Sequence, residues 1–183
     1  MNLLQNFVSN IEKAFEDYDK KNIDKPFNIH TSTQYLERFV NEKQLGDLES
    51  KILLLAFIPH VNASFFDSYL PSKGNHALLG GIRGKNHRGF LPTGETALFL
   101  LVGNDLQKRQ RVQQVFSRDH FFEKEKILWL AKPEKNEPPM SGQIVMNHEY
   151  VELFTTAKIS YPPFSMEFPA EKLETKMTWE DLI

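Results

Sequence analysis

A mostly α-helical domain with a small β-hairpin is what this sequence predicts. Up to Ser117, apolar residues recur at three- and four-residue spacing, the pattern of helices that bury one face. Beyond Lys126 the period shortens, and two brief runs read as strands. Between two strongly apolar helices lies Pro71–Gly94, which holds six of the nine glycines and no acidic residue.

The elements follow in order. Leu4, Phe7, Val8, Ile11, Phe15 and Tyr18 define an amphipathic helix that stops near Lys20-Lys21, with Pro26 in the break. Thr31, Ser32 and Thr33 are candidate N-caps for a helix over Tyr35–Gln44. Gly46 is expected to end that helix and Asp47 to cap the next. Leu48–Ile58 is apolar almost all round, which suits a central core helix. A strand over Ile52–Ile58 competes, but the preceding Asp47-Leu48-Glu49-Ser50 reads as a helix start. Pro59 marks its end or sits in a short kinked continuation, and Asn62 opens a short helix through Phe65, Phe66 and Tyr69 that Pro71 closes.

Thr93–Val102 is a second apolar helix, broken by Gly103-Asn104. Asp105 caps Leu106–Ser117, with Val112, Val115 and Phe116 facing inward. Lys126–Ala131 and Gln143–Met146 are the strands, joined by a loop rich in proline, and Asn147 caps a last helix, Glu149–Thr156. The tail from Lys158, with Pro162, Pro163 and Pro169, reads as extended linker. A helix pair followed by two strands is the element order of a winged-helix-like domain. The division expected is a helical segment over 1–44, the winged-helix-like domain over 45–157 and a linker over 158–183.

Composition narrows function. The 183 residues are 40% hydrophobic with 15 Phe, enough for a core, and the net charge is −2. That balance gives no bulk electrostatic grip on nucleic acid or an anionic membrane. There is no cysteine, so disulfides, thiolate metal sites and cysteine nucleophiles are excluded. The first residues lack a basic n-region and a long apolar core, and no run approaches the ~20 apolar residues of a membrane helix. A cytoplasmic protein is expected.

Arg83, Lys85, His87 and Arg88 form the first candidate site. Glycines allow close backbone approach, and these side chains suit an anion or an acidic protein face; the plain alternative is a solvated surface loop. The second candidate is the face bearing Gln107, Arg111, Gln114 and Arg118. Arg and Gln suit base edges in a major groove, but the wet side of an ordinary amphipathic helix looks the same. The six histidines, His30, His60, His76, His87, His120 and His148, show no metal-ligand spacing, so no metal site is assigned. His60 reads as a C-terminal partner of the helix dipole. Glu95 reads as a capping residue rather than an acid–base partner of His87. No catalytic residues are assigned.

Several stretches resemble one family. Leu53-Leu54-Leu55-Ala56 before Pro59, Arg88–Leu98 with its Gly-Phe-Leu-Pro-Thr-Gly-Glu-Thr run, and Val115–Arg118 are among them. So are Ile127–Leu130 and Asn147–Tyr150. Together they resemble the winged-helix region N-terminal to the core of bacterial AAA+ ATPases, most closely the Bacteroidetes type found with contractile injection systems. The resemblance covers about Leu45–Ile183, and Leu173–Leu182 looks like the lead-in to the ATPase core. It implies a non-catalytic adaptor that recognises a protein partner or substrate and passes it to a ring of ATPase cores. ATP and Mg²⁺ would belong to that core and not to this chain. Here Gly80-Gly81-Ile82-Arg83-Gly84-Lys85-Asn86 is one residue short of a phosphate-binding loop and has Asn86 where the metal-binding hydroxyl belongs. No Walker-B-type strand follows. The parent chain is therefore expected to continue past Ile183. A free-standing winged-helix DNA-binding protein is the alternative reading.

Overall fold

The computed structural model describes residues 3, 5–9, 33–66 and 79–158. The rest of the predicted first helix, His30, His76, Tyr69-Pro71 and the tail from Ile159 lie outside these residues. Residues 5–9 are helical, and Phe7 is fully buried with Val8 packed beside it.

Helix α1 (Gln34–Glu42) starts after Thr33, whose hydroxyl donates to Glu37 Oε1 at 3.4 Å instead of capping a backbone amide. Helix α2 (Asp47–Val61) reverses the expected roles at its start: Gly46 is the N-cap and Asp47 is already helical. Gly46 takes up the extended geometry a cap requires (φ −68°, ψ 170°). Asp47 serves better one position later, where its charge meets the helix N-terminus and Lys51 donates to it at 2.7 Å. Ile52 through Pro59 are buried without a break, so α2 is the central helix. Pro59 lies inside it, leaving the Leu55 carbonyl without its usual helical donor. The chain after Asn62 makes a turn that seats Phe65 and Phe66 in the core.

The stretch expected to be an irregular loop contains a hairpin. Strands β1 (Ile82–Arg83) and β2 (Phe90–Leu91) pair antiparallel, Ile82 with Leu91 and Arg83 with Phe90. Strands this short carry no readable alternation. The hairpin is fixed from beneath: the space a Gly81 side chain would take is filled by the Phe90 ring, and that of Gly89 by the Ala63 carbonyl.

Helix α3 (Gly94–Val102) begins with a capping box. The Thr93 amide donates to Thr96 Oγ1 at 2.9 Å and the Thr96 amide to Thr93 Oγ1 at 3.3 Å. The partner is Thr96 and not Glu95, which corrects the capping role expected for Glu95. Helix α4 (Leu106–Val115) is capped by Asp105, which accepts from the Lys108 amide at 3.1 Å. It ends short of Ser117 because the Phe116 and Ser117 amides close tighter turns onto Gln113 and Gln114 (both 3.1 Å). A four-residue helix, α5 (Phe121–Lys124), was not expected; His120 Nδ1 caps it by accepting from the Phe122 amide at 3.2 Å.

Strands β3 (Leu128–Leu130) and β4 (Ile144–Met146) pair antiparallel, Trp129 opposite Val145. Helix α6 (His148–Thr156) follows, with Asn147 as N-cap, accepting from the Glu149 amide at 3.1 Å. Its Phe154 meets Phe57 and Phe39 edge-on at 5.6 and 5.3 Å, tying α1, α2 and α6 into one core. Past β2 the chain touches β4: the Ile144 amide donates to the Pro92 carbonyl at 2.9 Å, and Thr93 bridges Gln143. The described residues thus form a mostly helical domain with two small antiparallel sheets, where the sequence predicted one hairpin. Among them, no helix is long and apolar enough to cross a membrane.

Candidate binding site

The hairpin presents its charges outward. Arg83 on β1, and Lys85 and Arg88 in the turn, are exposed. Lys85 and Arg88 are in no ion pair among the described residues. The glycines do not open the backbone to a ligand as the sequence suggests. At Gly81 and Gly89 the vacated space is occupied by the protein itself. Gly89 locks the hairpin to the turn after α2 and Gly81 seats one strand on the Phe90 ring of the other, so the cations stand on a fixed support.

His87 is separated from these cations. It turns inward and lines a cleft of about 310 Å³ between the hairpin, the end of α2 and β4. His60 and Gln143 are the other polar residues of the wall; Pro59, Leu91, Pro92 and Val145 are among the apolar ones. The His87 Nε2 atom is buried and has no hydrogen-bond partner among the described residues, an expensive condition for a polar atom. Among the described residues, no acidic one lines the cleft.

His60 lies in the last turn of α2, where the helix dipole alone would favour its charged form. The balance goes the other way. Its residue surface is largely open, yet enough of its ring is crowded by the cleft that burial lowers its pKa, with His87 and His148 adding repulsion. The dipole-partner role expected from the sequence is therefore not the dominant influence on His60. Glu95 points to α4, with its Oε2 accepting from Arg109 at 3.5 Å, so its carboxylate already has a cationic neighbour other than His87.

The second candidate face is partly dispersed. Gln107, Arg111 and Gln114 are exposed on α4, but Arg118 lies in the turn beyond the helix end. Arg111 and Gln114 line a groove together with Asp47 and Glu49, two carboxylates that oppose a phosphate there. Across that groove His120 faces Glu49 at 3.9 Å, and burial lowers its pKa against the pull of Glu49. Among the described residues, no three metal-ligating side chains converge.

His60, His87 and Gln143 share a wall although they are far apart in the chain. No local pattern could have joined them; the Pro92–Ile144 and Thr93–Gln143 contacts bring β4 beside the hairpin. Comparison with protein-family models, with curated proteins and with solved structures finds no match to this chain.

Proposed function

We propose that this domain is a non-catalytic recognition module, the adaptor domain of a AAA+ ATPase, and that the basic hairpin captures a protein partner. The observation that carries the reading is the hairpin: Arg83, Lys85 and Arg88 exposed on a turn whose base is locked into the core. A fixed cationic knob loses little conformational freedom on docking to an acidic surface. A winged-helix arrangement is supported by three features. Helices α3 and α4 are joined by the short Gly103–Asp105 turn, β3 and β4 form a wing-like pair, and the Pro92–Thr93 segment adds to the β4 edge. The AAA+ assignment itself rests on the sequence resemblance.

The test is capture from the native lysate by wild type and by the double variant Arg83→Glu/Arg88→Glu. The variant is expected to keep its circular dichroism and melting temperature and to lose a specific protein that wild type retains. Equal capture by both, or a variant that no longer folds, defeats the proposal.

DNA binding is the second reading, favoured by the exposed Gln107 and Arg111 on the helix that follows the turn. Asp47 and Glu49 beside Arg111 weigh against it. Binding to duplex DNA that falls steeply with salt and weakens in Arg111→Ala would favour this reading over partner capture.

A further inference from the structure

We propose that His120 is an acid-sensitive latch on helix α5: neutral, it holds the first turn closed through Nδ1, and on protonation it lets that turn go and closes on Glu49 instead. The latch is independent of the hairpin and its role.

The hydrogen bond at the start of α5 fixes where the neutral ring keeps its proton. The Phe122 amide donates to His120 Nδ1 at 3.2 Å. A ring nitrogen that accepts carries no proton, so the hydrogen is on Nε2. That atom faces Glu49 Oε1 at 3.9 Å, beyond hydrogen-bond length. A second proton can go only to Nδ1, the capping atom. The acceptor then becomes a donor, two N–H groups oppose each other, and the cap is lost. The same proton charges the ring, and its Nε2–H gains a charge-assisted bond to the Glu49 carboxylate.

Glu49 is the neighbour placed to take that charge. Asp47 and Glu49 of α2 and Arg111 of α4 line a groove with His120. Lys43, just past α1, lines a second groove that also holds Glu49 and His120. Asp47 already accepts from Lys51 at 2.7 Å, and Glu123 from Lys126 at 2.8 Å. Arg118, Asp119 and Lys124 are exposed. Burial holds the His120 pKa down, and the Glu49 charge offsets this only in part. The latch is therefore closed at neutral pH and opens as pH falls below the ordinary histidine range.

The turn has little else to hold it. A helix of four residues has no stability of its own. It closes through the Lys124 and Glu125 amides, which donate to the His120 and Phe121 carbonyls at 3.0 and 2.9 Å. Phe122 is fully buried. Phe121 is half-buried at the rim of the second groove, its ring centre 5.9 Å from Lys43 Nζ. Opening pivots on Phe122 and frees Phe121, which widens that groove.

The test follows the purified chain by NMR from pH 7.5 down to about 5, across the ordinary histidine pKa of ~6.5. Ring nitrogen shifts report the protonated atom, and amide protection factors report the turn. At pH 7.5 the His120 hydrogen is expected on Nε2. As the ring titrates, protection of the Phe122 and Lys124 amides should fall roughly 3- to 30-fold, the range for losing an N-cap, and that of the Leu54 amide in α2 should fall less. His120→Asn retains a capping acceptor that cannot titrate and should keep α5 closed throughout. Glu49→Gln should move the midpoint of the ring to lower pH. A hydrogen on Nδ1 at pH 7.5, a Phe122 amide unaffected by the titration, an equal fall at Leu54, or the same fall in His120→Asn overturns the proposal. A midpoint unmoved or raised in Glu49→Gln overturns the exchange of partners.

Discussion

The two hairpins of this domain are built on opposite principles. β3 and β4 are made by side chains: Leu128, Ile144 and Met146 are buried, and Trp129 and Val145 face each other across the pair. Such residues favour a pleated, half-buried surface wherever they are put. β1 and β2 are made by side chains that are missing. Ile82 is 42% exposed and Arg83 is on the surface, so Phe90 is the main anchor. What holds the register is the fit of bare backbone at Gly81 and Gly89 against Phe90 and Ala63. A hairpin that owes its stability to backbone fit has its other positions free for charge, and this one fills them with cations.

The sharpest way to break that contrast is Gly89→Ala. The new methyl group would overlap the Ala63 carbonyl, a backbone atom that cannot swing aside. A loss of about 3 kcal/mol or more in urea unfolding is expected, in the range of severe overpacking. A loss below about 1 kcal/mol would mean the hairpin is not held by this approach. Thr93→Ala is expected to do less. It removes the capping box of α3 and the hydroxyl that donates to the Gly80 carbonyl at the root of β1. About 1–2 kcal/mol should be lost, as for other N-caps, and Thr93→Ser should recover most of it. If Ser recovers nothing, the threonine acts through its methyl packing and the hydroxyl link is idle.

The same contrast explains what could be read in advance. The helices were legible because each carries its own reason. Ile52–Ile58 has no polar face, Thr93 precedes an apolar run, and Asp105 and Asn147 stand as caps where their helices begin. β3 and β4 were legible from their aliphatic and aromatic content. The basic hairpin reads as loop because glycine signals freedom in a sequence, whereas Gly81 and Gly89 here signal contact. Helix α5 leaves no signal in the sequence because four residues show no period. Of the site, the cations of the hairpin were visible as a charge cluster. The shared wall of His87, His60 and Gln143 was not, because it is made by long-range contacts such as the Pro92–Ile144 hydrogen bond that sets β4 beside the hairpin.

The smallest effect expected tests the cleft side of the comparison. Burial, then His87 and His148, lower the His60 pKa in the folded chain. The unfolded chain, with an ordinary histidine pKa of ~6.5, therefore binds more protons than the folded chain at mildly acidic pH. Stability contributed by neutral His60 is fully present above that value and is lost as pH falls through it toward the lower folded pKa. His120, also lowered by burial, acts in the same direction. Urea midpoints measured from pH 7.5 down to about 5.5 should fall for wild type and fall less steeply for His60→Gln, with His120 contributing to the remainder. Parallel pH curves for the two proteins would place the His60 ring in solvent and remove it from the cleft wall, whereas a steeper curve in the variant would mean that folding raises the His60 pKa instead of lowering it.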